Sequence, residues 1–322
     1  MRVPITVAIA IFAGSCASPS TSGVLDASTG YDAAAIDASS GSTVVSDITP
    51  KSGKGTPPSG SSDGGPWSTR MMLATSTDGK TFKRTNEVVS DQAGVPNAFV
   101  DREGRLRLAY IDWGNGNIIA TAVRNTDGHW AYRRILFSPA LTTDKPDPVD
   151  PSIVKLADGS YRLFFMLKGK FLSAHSQDGF VFTPDEGERF PYEKPLYDPA
   201  VVETKTGWLL WANIGSSTFA WGKSSDGLNF IASPDLFRLD GKSMTVWSAA
   251  QVSGGYRISG GLEGTPGIAS AFSVDGVSWT IEGAVLTDKG ADPAIEKALY
   301  PDHGYTQLPD ATYAIAYLAQ IP

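Results

Sequence analysis

Basic residues are few and scattered. The 322-residue chain has 27 Lys and Arg against 34 Asp and Glu, a formal charge of −7. No run of Lys or Arg reverses that sign locally, so neither nucleic acid nor an anionic lipid surface is an expected partner. Cysteine occurs once, at Cys16, which rules out an internal disulfide. The three histidines, His129, His175 and His303, lack metal-ligand spacing. No glycine-rich phosphate loop is present. Long apolar runs are missing as well. The run from about Val7 to Phe12 falls far short of the ~20 residues a membrane span needs.

That short run, preceded by Arg2 and followed by small residues up to Cys16, reads as a secretory signal over residues 1–16. The stretch Ala13-Gly14-Ser15-Cys16 resembles a bacterial lipobox, with Ala13 where Leu is usual. The resemblance implies lipidation of Cys16 and anchorage at the bacterial outer membrane or cell surface. An ordinary signal cut near Ala17 would give a secreted protein instead. In both cases the chain is expected to be exported, to touch a membrane only through a lipid anchor, and to be monomeric. Residues 17–66 are mostly Ser, Gly, Ala, Asp, Thr and Pro, too poor in apolar surface to offset the entropy of ordering, and are predicted to form a disordered tether. Residues 67–322 remain as one domain with room for a sizeable core.

Within that domain one turn recurs. It reads Ser76-Thr77-Asp78-Gly79, Asn125-Thr126-Asp127-Gly128, Ser176-Gln177-Asp178-Gly179, Ser224-Ser225-Asp226-Gly227 and Ser273-Val274-Asp275-Gly276. Its aspartates lie 49, 51, 48 and 49 residues apart, the period of a propeller blade. Asp-Gly suits a tight hairpin, since Gly accepts positive φ and Asp accepts from nearby N–H groups. A second set of hairpins falls between the first, at Glu103-Gly104, Asp158-Gly159, Thr206-Gly207, Gly254-Gly255 and Asp310-Ala311. Each blade therefore runs A, hairpin, B, C, Ser-x-Asp-Gly turn, D. The first repeat begins with a strand C near Arg70 and the last stops after a strand B near Ala319. The two halves match, which predicts an all-β, five-bladed β-propeller closed by N-terminal C–D strands pairing with C-terminal A–B strands.

This topology puts both sets of turns on one rim. The starts of the A strands and the B–C loops share the other, at the mouth of the central channel. Counting nine residues upstream of each A–B hairpin gives Val95, Asp150, Asp198, Val246 and Asp302. Three of five are aspartates. Asn97, Trp247 and His303 lie close by, the B–C loops add Asp112, Trp113, Asn213 and Glu263, and the D–A connections add Asp292 and Glu296. Convergent carboxylates in a concave mouth suit glycoside hydrolysis, where one acid protonates the leaving oxygen and another activates water. Indoles such as Trp113 and Trp247 suit the apolar face of a sugar. The candidate catalytic set is Asp150, Asp198, Asp302 and Glu263, with Asn97, Asp112, Trp113, Asn213, Trp247 and His303 as carbohydrate contacts. No cofactor is demanded. Channel carboxylates could take a Ca²⁺ ion.

Over residues 68–322 the chain resembles the five-bladed propeller glycoside hydrolases of the arabinanase, β-xylosidase and fructan-hydrolase type. The resemblance rests on Asp150-Pro151-Ser152-Ile153-Val154, on Asp158-Gly159-Ser160-Tyr161-Arg162 and on the Ser-x-Asp-Gly turns. It implies an Asp base, an orienting Asp and a Glu acid from the first three blades, and Asp150 matches the orienting Asp. The first blade departs with Val95-Pro96-Asn97 and the third with Asp198, while Glu263 lies one blade too late. These departures leave a non-catalytic glycan-binding protein as the alternative. Sialidase-type propellers also use Asp-Gly turns, but Arg105, Arg107, Arg162 and Arg257 begin B strands, on the wrong rim for a carboxylate clamp.

Overall fold

The computed structural model describes residues 47–61, 64–141, 147–215 and 218–322. The expected signal and lipidation site at Cys16 lie outside the described residues. No helix among the described residues is long and apolar enough to cross a membrane.

Two strands, β1 (Thr69–Ser76) and β2 (Lys83–Asp91), come first. Blade one is β3 (Ala93–Val100), β4 (Leu106–Asp112), β5 (Ile118–Arg124) and β6 (Trp130–Arg134). A short β7 (Leu136–Phe137) adds in parallel to the edge of blade two, which is β8 (Val149–Lys155), β9 (Tyr161–Leu167), β10 (Lys170–Ser176) and β11 (Val181–Pro184). Blade three is β12 (Tyr197–Thr204), β13 (Gly207–Asn213), β14 (Phe219–Ser224) and β15 (Ile231–Ala232), followed by a small hairpin of β16 (Arg238–Leu239) and β17 (Lys242–Ser243). Blade four is β18 (Ser248–Val252), β19 (Gly255–Gly260), β20 (Ile268–Ser273) and β21 (Thr280–Leu286). Last come β22 (Leu299–Gln307) and β23 (Tyr313–Gln320). The fifth sheet has the order β2-β1-β23-β22, with β1 antiparallel to β23 from Thr69↔Gln320 to Ser76↔Tyr313.

The repeated turns do two jobs. Locally, in the turn at Asp226, the Ser224 hydroxyl bonds the carboxylate and accepts the Gly227 N–H, while Asp226 Oδ1 accepts the N–H groups of Leu228 and Asn229. Those bonds hold its carboxyl pKa well below the usual range, and Asp78 likewise falls to about 2. Between blades, each turn receives a side chain from strand B of the blade before it. Arg107 of β4 donates to the carbonyls of Asp178 at 3.0 Å and Gly179 at 2.6 Å. Arg162 of β9 donates to the carbonyl of Asp226 at 3.0 Å. Leu209 of β13 stands against Gly276, and Arg257 of β19 against Gly79. The turn aromatics lean the same way, Phe230 on Phe164 and Trp279 on Trp211. Blade one is the exception. Its turn has lost the serine, and the corresponding residue of β23 is the short Ala314. Space around Gly128 is open accordingly.

That contrast carries a prediction. Gly79 has φ +70°, and a Cβ there would collide with Arg257 Nη1 and lie 2.7 Å from Tyr305 Oη. Gly128 has φ +85° with nothing within 4 Å. Gly128→Ala should cost about 1 kcal/mol for the left-handed backbone alone. Gly79→Ala should cost at least about 1 kcal/mol more, because packed neighbours must move. Denaturant unfolding of the two variants measures the difference.

Residues 47–55, which composition assigns to the tether, make backbone contacts with the propeller. Ile48 donates its N–H to the Tyr132 carbonyl and packs against the core between blades five and one. Asp47 bridges to Arg133 and Lys51 to Asp91, and Asn115 Nδ2 donates to the Thr49 carbonyl at 3.0 Å. One isoleucine and a run of backbone bonds are enough to strap residues 47–55 across this part of the rim.

Candidate functional site at the channel mouth

Four A strands start with the same irregularity. In β3, β8 and β12, and more widely in β22, the register with strand B slips just where the strand begins. Val95, Asp150 and Asp198 sit at the slip with φ of +46°, +56° and +50°. Each is followed by a proline. Left-handed backbone is costly for any residue with a Cβ, least so for Asp and most for a β-branched Val. Bulges of this kind re-aim side chains, and such strain collects at functional sites. Just ahead of β18, Val246 occupies the matching place without a bulge: Trp247 N–H bonds directly to the Ser259 carbonyl.

Asp150, Asp198 and Asp302 are brought together. The Asp198 N–H donates to Asp150 Oδ2 at 3.3 Å, and Asn213 Nδ2 donates to Asp198 Oδ2 at 3.3 Å. Burial raises Asp150 to about 6. Burial and then the Asp150 charge raise Asp302 to about 7. Asp198 is pushed well above the ordinary carboxylate range by burial, by Asp150 and by Asp302, in that order. Their mutual repulsion means that the three titrate as one set. His303, beside Asp302, brings no positive charge. Its Nδ1 faces the Pro301 carbonyl at 2.6 Å and must carry the proton, so Nε2 accepts from the Ser259 hydroxyl at 2.6 Å. Burial lowers its pKa to about 4.

Four other buried or largely buried acids are paired with arginine, and Asp112 is held by its own loop. Asp91 pairs with Arg70, Glu282 with Arg257, Asp101 with Arg105, and Glu296 with Arg84. Glu296 also accepts from the Tyr317 hydroxyl, so this acid of the last D–A connection serves the core. Among the described residues the trio has no cationic partner. Three carboxyl groups gathered without a cation are expensive to keep, which makes them the candidate functional cluster. No group of three or more His, Cys, Asp or Glu side chains among the described residues is placed to hold a metal ion.

The remaining candidates divide. Asn213 is buried, bonded to Asp198 through Nδ2 and to the Gly215 N–H through Oδ1. Trp247 is half-buried, edge-on to Phe219 at 5.7 Å, and its buried Nε1 has no acceptor among the described residues. Asn97 Oδ1 accepts the Ile153 N–H and pins blade one to blade two. Asp112 is fully buried, with both oxygens bonded to Asn115 in its own loop. Trp113 leans on Trp67 at 5.9 Å. The 47–55 strap covers this sector, so Asp112 and Trp113 build the rim instead of lining the trio. Glu263 is exposed, and its Oε2 accepts the Ser243 N–H at 3.0 Å. Of the predicted contacts, Asn213 bonds to Asp198, and His303 follows Asp302 in the chain with its ring turned to Pro301 and Ser259.

The native cluster holds protons that the unfolded chain has released. Between pH about 4 and 6 Asp150 is still protonated when folded and ionised when unfolded, so its contribution to stability is lost as pH rises. His303 acts in the opposite sense between about 4 and 6.5, because the folded state refuses the proton. The difference between wild type and Asp150→Asn isolates the carboxyl. The variant should gain stability relative to wild type over this window, by up to about 3 kcal/mol. Denaturant titrations at pH 4.5 and 7.5 read that change.

No family model matches the chain, and no curated protein matches it. Solved structures do. A thermostable family-43 glycoside hydrolase superposes with a TM-score of 0.50 at 12% identity, over 70% of this chain and 88% of that one. A family 117 glycoside hydrolase from the marine bacterium Zobellia galactanivorans gives 0.47 at 14% identity, over 77% and 90%. An α-L-arabinofuranosidase from Clostridium thermocellum gives 0.48 at 16% identity, over 66% and 80%. At such identities the likeness is one of fold. The chain is a five-bladed β-propeller with structural neighbours among glycoside hydrolases.

Proposed function

We propose that the protein is an exported glycoside hydrolase-like propeller acting on a poly- or oligosaccharide through Asp150, Asp198 and Asp302. The observation that carries this reading is the gathering of three carboxyl groups with raised pKa and, among the described residues, no counter-cation. Near neutral pH such a set holds at least one proton and at least one charge, the two states that glycoside hydrolysis uses together. Asp198 faces both other carboxylates and is assigned the proton, as general acid. Asp150, stabilised by the Asp198 N–H, ionises more readily and is assigned as base. Asn213 and the half-buried Trp247 serve as substrate contacts. Export, with or without a lipid on Cys16, remains part of the proposal and would place the enzyme where polysaccharides are met.

Val95 favours a second reading. Blade one keeps the costly left-handed backbone but carries a side chain without acid–base chemistry, as a glycan-binding descendant of a hydrolase would. Hydrolysis of aryl pentosides, aryl hexosides and plant polysaccharides by the full chain separates the two. Turnover lost in both Asp150→Asn and Asp198→Asn, with unchanged circular dichroism, supports the enzyme. Sugar binding without turnover, weakened by Trp247→Ala, supports the binding protein.

A further inference from the structure

Blade three has a weak outer strand. β15 is two residues long, and the chain then leaves the blade for the β16–β17 hairpin. Between that excursion, β14 and the Asp275-Gly276 turn of blade four lies a cavity of about 360 Å³. None of its lining residues belongs to the channel-mouth set. Its walls are aromatic. Trp211 is fully buried and meets Phe237 at 5.5 Å and 79° and Trp279 at 5.9 Å and 81°. Trp221 is half-exposed, meets Phe237 at 6.0 Å, and has its ring fixed by an Nε1–H bond to the Asp235 carbonyl at 3.0 Å.

The polar groups around these rings are of both signs. Lys223 and Arg238 are matched by Asp235 and Asp240, which gives no preference for a cation or an anion. The lip is apolar and open to water: Leu236 is 41% exposed and Val277 64%. Trp211 Nε1, buried, has no acceptor among the described residues. Indole faces and a charge-balanced rim of donors and acceptors suit a neutral ring with C–H faces and hydroxyl edges. A volume at the low end of the range for small-molecule sites limits the occupant to one or two such rings.

We infer that this cavity is a second carbohydrate site, taking a neutral mono- or disaccharide unit of a longer glycan and holding it against Trp221 and Trp279. The inference goes beyond the channel-mouth reading and does not require hydrolysis there. Such a site would keep the polymer on the protein while its chain ends or branches reach the channel.

Isothermal titration of the full chain with neutral xylo-, arabino-, manno- and cello-oligosaccharides of four to six residues tests it. At least one should bind, with Kd raised at least tenfold by Trp279→Ala and by Val277→Arg. The second variant alters only an exposed valine on the lip, so it keeps the test sound should the first fail to fold. Asp198→Asn should leave this binding within twofold of wild type, and Val277→Arg should leave any hydrolysis of small aryl glycosides unchanged. Absence of binding across the panel, binding indifferent to both cavity variants, or tighter binding of phosphocholine or a sulfated oligosaccharide would overturn the inference. Failure of the channel-mouth reading shows differently, as lack of turnover with flank binding intact.

Discussion

Asp198→Asn is expected to lower glycoside turnover by roughly two to four orders of magnitude and, in the same protein, to raise the melting temperature. The two effects share one cause. Asp198 lies against Asp150 and Asp302, and its raised pKa expresses the cost of a third charge in that space. Asparagine keeps the shape and the hydrogen bond from Asn213 but brings neither a charge nor an acidic proton. Activity lost together with stability gained is the mark of a site kept against the interest of the fold. A structural aspartate gives the opposite pattern: its removal leaves N–H donors unpaired and lowers stability. Kinetics on the substrate panel and thermal unfolding at pH 7.5 read both effects from one preparation. Loss of stability in Asp198→Asn would assign the trio to the fold and not to chemistry.

Arg107→Ala is expected to destabilise the ring by about 3 kcal/mol or more, since it empties a large buried site and orphans two carbonyls. The guanidinium lies 4.1 Å from the Phe180 ring centre, 5.2 Å from Phe99 and 5.6 Å from Tyr161. It donates to backbone carbonyls and, among the described residues, to no carboxylate, and burial holds its pKa below the ordinary value. Arg107→Met should be much milder, under about 1.5 kcal/mol, because methionine fills similar space and relieves the buried charge. Denaturant unfolding of both variants distinguishes packing from charge as the source of the clasp. If Met proves as costly as Ala, the bonds to the Asp178 and Gly179 carbonyls carry most of the interaction.

The blades were legible because their signals are local and repeated. A serine, an aspartate and a glycine within four residues satisfy their own turn's N–H groups, and the chain repeats the arrangement at a fixed interval. Counting from one hairpin located Asp150, Asp198 and Asp302 for the same reason: strand register converts sequence distance into position. What stayed hidden depends on partners distant in the chain. Glu296 is an unpaired acid in the sequence alone, because its partner Arg84 lies 212 residues away. Asp112 and Trp113 looked like ligand contacts because nothing in composition shows that residues 47–55 lie over them. The flank cavity arises where blade three abandons the repeat, so periodicity, which revealed the rest, gave no sign of it.

The pairing of β1 with β23 also sets a timetable. Strands separated by about 240 residues of intervening sequence must meet before the fifth sheet exists, and such distant contacts form slowly. Four sheets can be assembled from neighbouring segments as the chain emerges, but the ring remains open until Tyr313–Gln320 arrives. During that interval Met71, Met72 and Leu73 present an unpaired apolar edge. A stalled or clipped polypeptide that lacks β23 is left permanently in this state, and intermolecular β-pairing is then its readiest outcome.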